Sequence, residues 1–304
     1  MQRLIGIFCG RTNDGGFIES GYRGAREACE RFAIQFESVD HIDIETEALV
    51  AAIDAAVLSK PGLMVVHGGR SDEAVAAAGP RHPHIRFLST HGEFAGANYS
   101  CFTIAQPQSA FLAGALAGLL TRTGVVGHLS GIRIPPGLRS RAAYAAGVRR
   151  SNPQARLLTC FCGTQEDNAV TYRAAKAEIE AGADVLYTML NGGRTGAIDA
   201  CREGRISQIG NVRDWTVVAP DVFVASAIAD TGRLVASWIE DVIGGRLASG
   251  EVRHLGIEDS AAVRLAMAPQ VPGKVRATID GYAEELKPGR LTLPTEYDGP
   301  EFAA

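Results

Sequence analysis

The chain has 304 residues, 46% of them hydrophobic and 21% charged, with a formal net charge of −4. That is enough apolar material for a full core at a size suited to two α/β lobes. Mixed signs and a slight acidic excess exclude a binder of duplex or phosphate backbone, which shows a basic face. No apolar run approaches the ~18 residues of a membrane span.

Met1-Gln2-Arg3 leads straight into an apolar strand, and no signal peptide with a small-residue cleavage site is legible. The expected location is therefore periplasmic if the chain is a processed form, and cytoplasmic if Met1 is the native start. Six cysteines (Cys9, Cys29, Cys101, Cys160, Cys162 and Cys201) lie in apolar segments without CxxC spacing. They read as small buried hydrophobes in a reducing compartment. Cys160 and Cys162, two apart on an expected strand, face one way, but no further ligand is spaced to complete a metal set. Neither a metal nor a cofactor is expected.

In chain order, Leu4–Cys9 reads as a strand and Ser20–Arg31 as a helix. Glu45–Leu58 carries helical apolar spacing, Pro61-Gly62 breaks it, and Leu63–Val66 is a buried strand. Ser71–Ala78 is helical, and Ile85–Ser89 and Tyr99–Ile104 are strands. The pattern then restarts: helix Ser109–Thr121, strand Gly124–Leu129, helix Arg139–Arg150, strand Arg156–Phe161, helix Asn168–Ala181, strand Asp184–Met189, helix Thr195–Glu203, strand Ile206–Gly210. Val222–Ser226, Thr231–Ile243, Arg253–Ile257 and Pro272–Glu285 follow as strand, helix, strand and helix. Short apolar runs alternating with amphipathic segments indicate parallel sheets with helices on both faces. Two successive series of this kind predict two Rossmann-like lobes.

Open parallel sheets bind ligands at the carboxyl ends of their strands, beside the switch point. Those loops hold Asn13, Asp14 and Phe17; His67 and Gly68; His91; Asn191, Gly193 and Arg194; and Asn211, Asp214 and Trp215. Glycine there lets backbone approach a ligand, and the polar side chains supply its partners. Each has a plainer alternative. Asp14 suits a helix cap, Phe17 a core position under the first helix, His91 an exposed loop, and Trp215 packing between lobes. Gly192–Gly196 before a helix resembles an anion cradle, but matches neither the P-loop nor the dinucleotide glycine pattern. No nucleophile elbow or zinc-protease motif is present, and the remaining histidines lack metal spacing, so no catalytic residue is assigned. His82-Pro83-His84 reads as a solvated loop.

These loops sit within a longer set of matching segments. The set comprises Asn13–Phe17 with Gly21-Tyr22-Arg23-Gly24, Ala110–Gly114 with Thr123–Gly127, Ile134-Pro135-Pro136, Tyr144–Val148 with Asn152-Pro153, Glu180–Val185, and Ala219-Pro220-Asp221. Over nearly its whole length the chain resembles the BMP (basic membrane protein) family of ABC-transporter substrate-binding proteins, whose characterised members bind purine nucleosides or nucleobases. The resemblance implies that Phe17 lies against a base and that Asp14 is a polar neighbour. His91 stands where nucleoside-binding members place a base-reading aspartate. Val212 replaces a sugar-binding acid while Asp214 is retained, and Ala229 stands for a lysine. The adenine-binding branch is closer, with an Asp at Asp214 and a Gly at Gly92. A nucleobase-like heterocycle is therefore expected in preference to a nucleoside.

The fold so implied is the type I periplasmic-binding-protein fold, with two Rossmann-like lobes of parallel sheet joined by a three-crossover hinge. The expected lobes are residues 1–105 plus 228–250, and 106–227 plus 251–304. A small polar ligand would be captured in the cleft between lobes, which close on it. Phe17 and Trp215 would supply flat apolar faces, and Asp14, His91, Asn191, Arg194, Asn211 and Asp214 the directional hydrogen bonds. An ABC-transporter permease is the implied partner, and no nucleic acid is expected. A cytoplasmic ligand-sensing module and an enzyme on the same scaffold stand as alternatives, although no helix-turn-helix precedes Leu4.

Overall fold

The computed structural model describes residues 2–247, 250–287 and 290–303. The elements run β1 (Arg3–Phe8), α1 (Phe17–Arg31), β2 (Gln35–Val39), α2 (Thr46–Val57), β3 (Leu63–His67), α3 (Ser71–Ala78), β4 (Arg86–Thr90), β5 (Tyr99–Ile104), α4 (Gln106–Leu120), β6 (Val125–Ser130), α5 (Pro135–Ser151) and β7 (Arg156–Phe161). They continue with α6 (Asn168–Glu180), β8 (Val185–Met189), α7 (Arg194–Gly204), β9 (Ser207–Val212), β10 (Phe223–Ala229), α8 (Thr231–Ile243), β11 (Val252–Leu255), β12 (Val263–Met267) and α9 (Gly273–Glu285).

The chain divides into two units, Met1–Ile104 with Asp230–Leu255, and Ala105–Ala229 with Gly256–Ala304. Each holds one six-stranded sheet, ordered β11-β5-β4-β3-β1-β2 in the first and β12-β10-β9-β8-β6-β7 in the second. Within each unit the first five strands take the doubly wound order 2-1-3-4-5, so the two Rossmann-like halves expected from the alternation are present. The pairings are parallel except β10 with β12, which is antiparallel.

Central strands such as β3 and β8 are buried at every position, as helices on both faces require. The two strands not anticipated, β2 and β12, are sheet-edge strands with polar or half-exposed residues, whose period is weak. Three helices start three or four residues earlier than expected, among them α4, at Gln106 rather than Ser109. Proline at the first turn costs no hydrogen bond, so Pro135 opens α5 ahead of Arg139, and α1 opens at Phe17 rather than Ser20. Asp167 and Asp230 cap α6 and α8, each accepting two backbone amides. Helices α1 and α8 cross in near-backbone contact: a Cβ on Gly24 would lie 2.2 Å from the Gly232 carbonyl oxygen.

The core of the first unit centres on Phe8, Leu49, Ile53, Met64, Val66 and Phe87. That of the second includes Leu186, Leu190, Trp215 and Phe223, together with a polar cluster. In it His128 is bonded through Nδ1 to Thr159 Oγ1 (2.9 Å) and through Nε2 to Ser130 Oγ (3.1 Å). Tyr144 stacks on Tyr187 at 5.0 Å and donates to the Gly127 carbonyl. Cys160 and Cys162 both pack against this core, as their spacing of two implies, although Cys162 lies just past the strand. β7 ends at Phe161, and the Cys162 Sγ donates to the Thr164 carbonyl. Among the described residues no helix is long and apolar enough to cross a membrane.

Candidate functional site

In the first unit the switch point lies between β1 and β3. The loop after β1 turns into α1 through Asp14, which is 5% exposed. Its carboxylate accepts the amides of Gly16 (2.8 Å), Glu19 (3.0 Å) and Ile18 (3.2 Å). Burial pushes the Asp14 carboxyl up, and those three bonds pull it back. The carboxylate is thus committed to starting α1, which delivers Phe17 as its first residue. Asn13 beside it is exposed.

Phe17 stacks on the His67 imidazole, centroids 4.5 Å apart at 19°, and meets His91 at 4.9 Å and 38°. His67 is fully buried, and its Nε2 lies 3.0 Å from the Phe17 carbonyl oxygen. A carbonyl only accepts, so Nε2 carries the proton, and Nδ1 accepts from the Thr90 hydroxyl at 2.9 Å. Burial lowers His67 to about 4, leaving it neutral at physiological pH. Gly68, at φ +98°, follows, and its amide reaches Thr90 Oγ1 at 3.3 Å. Thr90 therefore ties two strand ends together, a role no motif signals. Thr231 Oγ1, donating to the same Phe17 carbonyl at 3.2 Å, is a second support invisible in the sequence.

His91 is not the surface histidine its loop suggests. Its backbone sits at φ +62°, in the left-handed region that side chains rarely adopt. Its Nε2 is buried and has no hydrogen-bond partner among the described residues. Burial, then neighbouring His67, lowers it to about 3, so this ring too is neutral. A strained, buried, unsatisfied nitrogen beside an aromatic face marks a place where a ligand can supply the missing bond.

The second unit uses most of its strand-end groups internally. Arg194, 2% exposed, donates to Thr188 Oγ1 (3.2 Å), to the Leu190 carbonyl and to Asn211 Oδ1. Its guanidinium lies 4.3 Å from the Trp215 ring centroid, and that of Arg213 lies 4.4 Å from it. Trp215 donates through Nε1 to the Asn211 carbonyl (3.0 Å) and is 7% exposed, so its ring serves these arginines rather than standing open. Nor is the glycine run an anion cradle. The Gly192 amide binds Glu166 Oε2 (3.2 Å), Gly193 binds the Gln165 carbonyl (2.9 Å), and Gly196 binds Asn168 Oδ1 (2.9 Å). Asp214 folds back on Thr216, through its amide (2.9 Å) and hydroxyl (2.6 Å). The Asn191 side chain makes no hydrogen bond among the described residues. Val212, a β-branched residue at φ +69°, stores strain at the end of β9.

Residues 1–275 match the family model described as Bmp, ABC transporter substrate-binding protein PnrA-like. Basic membrane protein A2 of Borrelia garinii subsp. bavariensis is 21% identical over 295 residues, covering 95% of this chain and 87% of that protein. A purine-binding protein of Brucella abortus is 21% identical over 238 residues, covering 77% of this chain and 67% of that protein. The solved structure of an ABC transporter system solute-binding protein from Aeropyrum pernix K1 superposes with a TM-score of 0.85 at 18% identity, over 98% of this chain and 94% of that one. The likeness shows the fold, which is of the type I periplasmic-binding-protein kind.

Proposed function

The chain belongs to the Bmp family of PnrA-like ABC-transporter substrate-binding proteins, and from that premise we propose that it captures one flat, uncharged heterocycle of nucleobase size for an ABC importer. The observation that carries this reading is the stack of Phe17 on His67 and His91, with a buried and unbonded Nε2 at its rim. An aromatic face holds a planar ligand, and a neutral imidazole bonds a ring nitrogen or exocyclic group without demanding a charge. The purine-binding relative from Brucella abortus supports the same ligand class. Val212 and Ala229, both buried and apolar, offer nothing to ribose hydroxyls, which favours the free base over the nucleoside.

Within the first unit Phe17, His91 and Asn13 are the groups assigned to the ligand, with Asp14, His67 and Gly68 holding them in place; within the second, Asn191 and Asp214 are the strand-end groups left to a ligand, while Gly193, Arg194, Asn211 and Trp215 hold the scaffold. The role is binding, not catalysis. Among the described residues neither His67 nor His91 is hydrogen-bonded to a carboxylate, so no oriented general base is assembled. Substrate-binding proteins of ABC transporters are typically extracytoplasmic, and the same location and a permease partner are assigned here.

A thermal-shift series tests this. Ligand that binds only the folded state stabilises by RT ln(1 + [L]/Kd), so free purine bases should raise Tm more than their ribosides do. A larger shift with nucleosides than with every free base overturns the ligand class.

A further inference from the structure

The chain beyond residue 275 lies outside the family match, and within the second unit it returns along α5. Glu285 at the end of α9 pairs with Arg150 (3.3 Å), and Asp298 approaches Arg149 (3.9 Å). These pairs are exposed, and such contacts contribute little. The last pairing differs. One carboxylate, that of Glu301, bridges Arg133 and Arg141, accepting from Arg141 Nη1 at 2.5 Å. The Arg141 side chain is only 8% exposed. Its guanidinium lies 5.1 Å from the Phe161 ring centroid and 4.9 Å from that of Tyr297, and Arg133 lies 5.0 Å from Phe161. One residue on, the Phe302 amide donates to the Thr159 carbonyl (2.8 Å), along β7, the edge strand of its sheet.

We infer that Arg133, Arg141 and Phe161 form a carboxylate-recognition site for an acidic, aromatic-flanked peptide segment, and that the chain fills this site itself with Glu301. Its C-terminal segment is then a latch rather than a passive tail. The physical case rests on Arg141. Among the described residues Glu301 is the only carboxylate paired with it, and a buried guanidinium stripped of its counter-charge is strongly unfavourable. A segment that leaves must therefore be replaced by another carboxylate. The aromatic rings on Arg141 select a chain with an aromatic residue near its acid, as Tyr297 and Phe302 stand around Glu301. The amide of the residue after the acid then pairs with the free edge of β7, the peptide-recognition mode in which a strand is added to a sheet. Arg133 belongs to the loop after β6, at the switch point of the second unit, so the latch fixes a loop on the ligand-binding side of that sheet. The inference stands whatever the ligand is.

The test uses the full chain, its Glu301→Gln and Arg133→Gln variants, and a fluorescent peptide copying residues 290–304. In the wild type the tethered segment competes at an effective concentration in the millimolar range, so the peptide binds weakly. Glu301→Gln vacates the site. The peptide should then bind it at least roughly tenfold more tightly than the wild type, and hydrogen exchange at the Phe302 amide should lose its protection. A peptide carrying the same Glu301→Gln change should not bind the vacated site, and Arg133→Gln should weaken capture of the intact peptide. Unchanged Phe302 protection in Glu301→Gln overturns the inference, because the segment is then held by packing alone. Equal binding of the two peptides overturns it as well, because attraction is then unspecific.

Discussion

The two units repeat one strand order, yet they treat their strand ends in opposite ways. In the first, Asp14, Thr90 and Thr231 satisfy the scaffold and leave the buried Nε2 of His91 without a hydrogen-bond partner among the described residues. In the second, Arg194, Asn211 and Trp215 bond one another, the amides of Gly192, Gly193 and Gly196 are taken by Glu166, Gln165 and Asn168, and most of what looked like ligand chemistry is spent on the protein itself. A polar residue at a strand end thus says where a ligand can sit. Whether it is available depends on whether the fold has already taken its hydrogen bonds.

Arg194→Met tests this contrast with the largest expected effect. It leaves the Leu190 carbonyl and Asn211 Oδ1 without their buried donor, and should cost about 3 kcal/mol or more in a urea titration. A variant that folds like the wild type but loses ligand would return Arg194 to the binding groups.

The next effect is shared by the two units. His67 and His128 are fully buried and neutral, lowered by burial to about 4 and about 3. An ordinary histidine takes up its proton near pH 6.5, so below that value the unfolded chain binds protons that the folded chain refuses. The stability contribution is therefore complete above pH 6.5 and is lost progressively as pH falls towards 4. Between pH 6.5 and 5 each of the two should cost about 2 kcal/mol, read from denaturation midpoints. In the His67→Asn and His128→Asn variants, that slope should shrink; an unaltered slope would place the acid sensitivity elsewhere.

Phe17→Ala should weaken ligand binding by roughly 1–2 kcal/mol, about 5- to 30-fold in Kd, while the chain still folds. Unchanged affinity by calorimetry would relegate the ring to packing. The smallest effect has the opposite sign. His91→Gly removes a side chain from φ +62°, so the fold should gain up to about 1 kcal/mol as ligand affinity falls. A variant both less stable and unimpaired in binding would make His91 a structural residue.

The architecture was largely legible because its signals are local. Ser71–Ala78, Tyr99–Ile104, Arg156–Phe161 and Thr231–Ile243 lie where their apolar spacing and caps place them. Strands β2 and β12 were not, because an edge strand keeps half its residues in water and loses the period that betrays it. The site was legible only as a set of loops. Asp14 and Asn191 are alike in the sequence, both polar residues just past a strand. What separates them is the three amides aimed at one and the lack of any at the other, which only the tertiary arrangement supplies. The strain at His91 and Val212 is illegible for the same reason, since nothing in either residue type announces a positive φ.

The division of the chain into interleaved units also bears on how it is made. The first sheet needs β11, and the groove on α1 needs Gly232 of α8, yet both emerge from the ribosome after nearly all the strands of the second unit. Until residue 255 is synthesised, β5 has an unpaired edge and α1 an uncovered face, while β6 to β10 are already available to pair. The nascent first unit therefore waits, with its sheet open, for a sequence that lies beyond its neighbour. An exposed edge of this kind invites pairing with other chains, so a stalled or truncated product ending between 105 and 230 should be the species that aggregates or recruits chaperones.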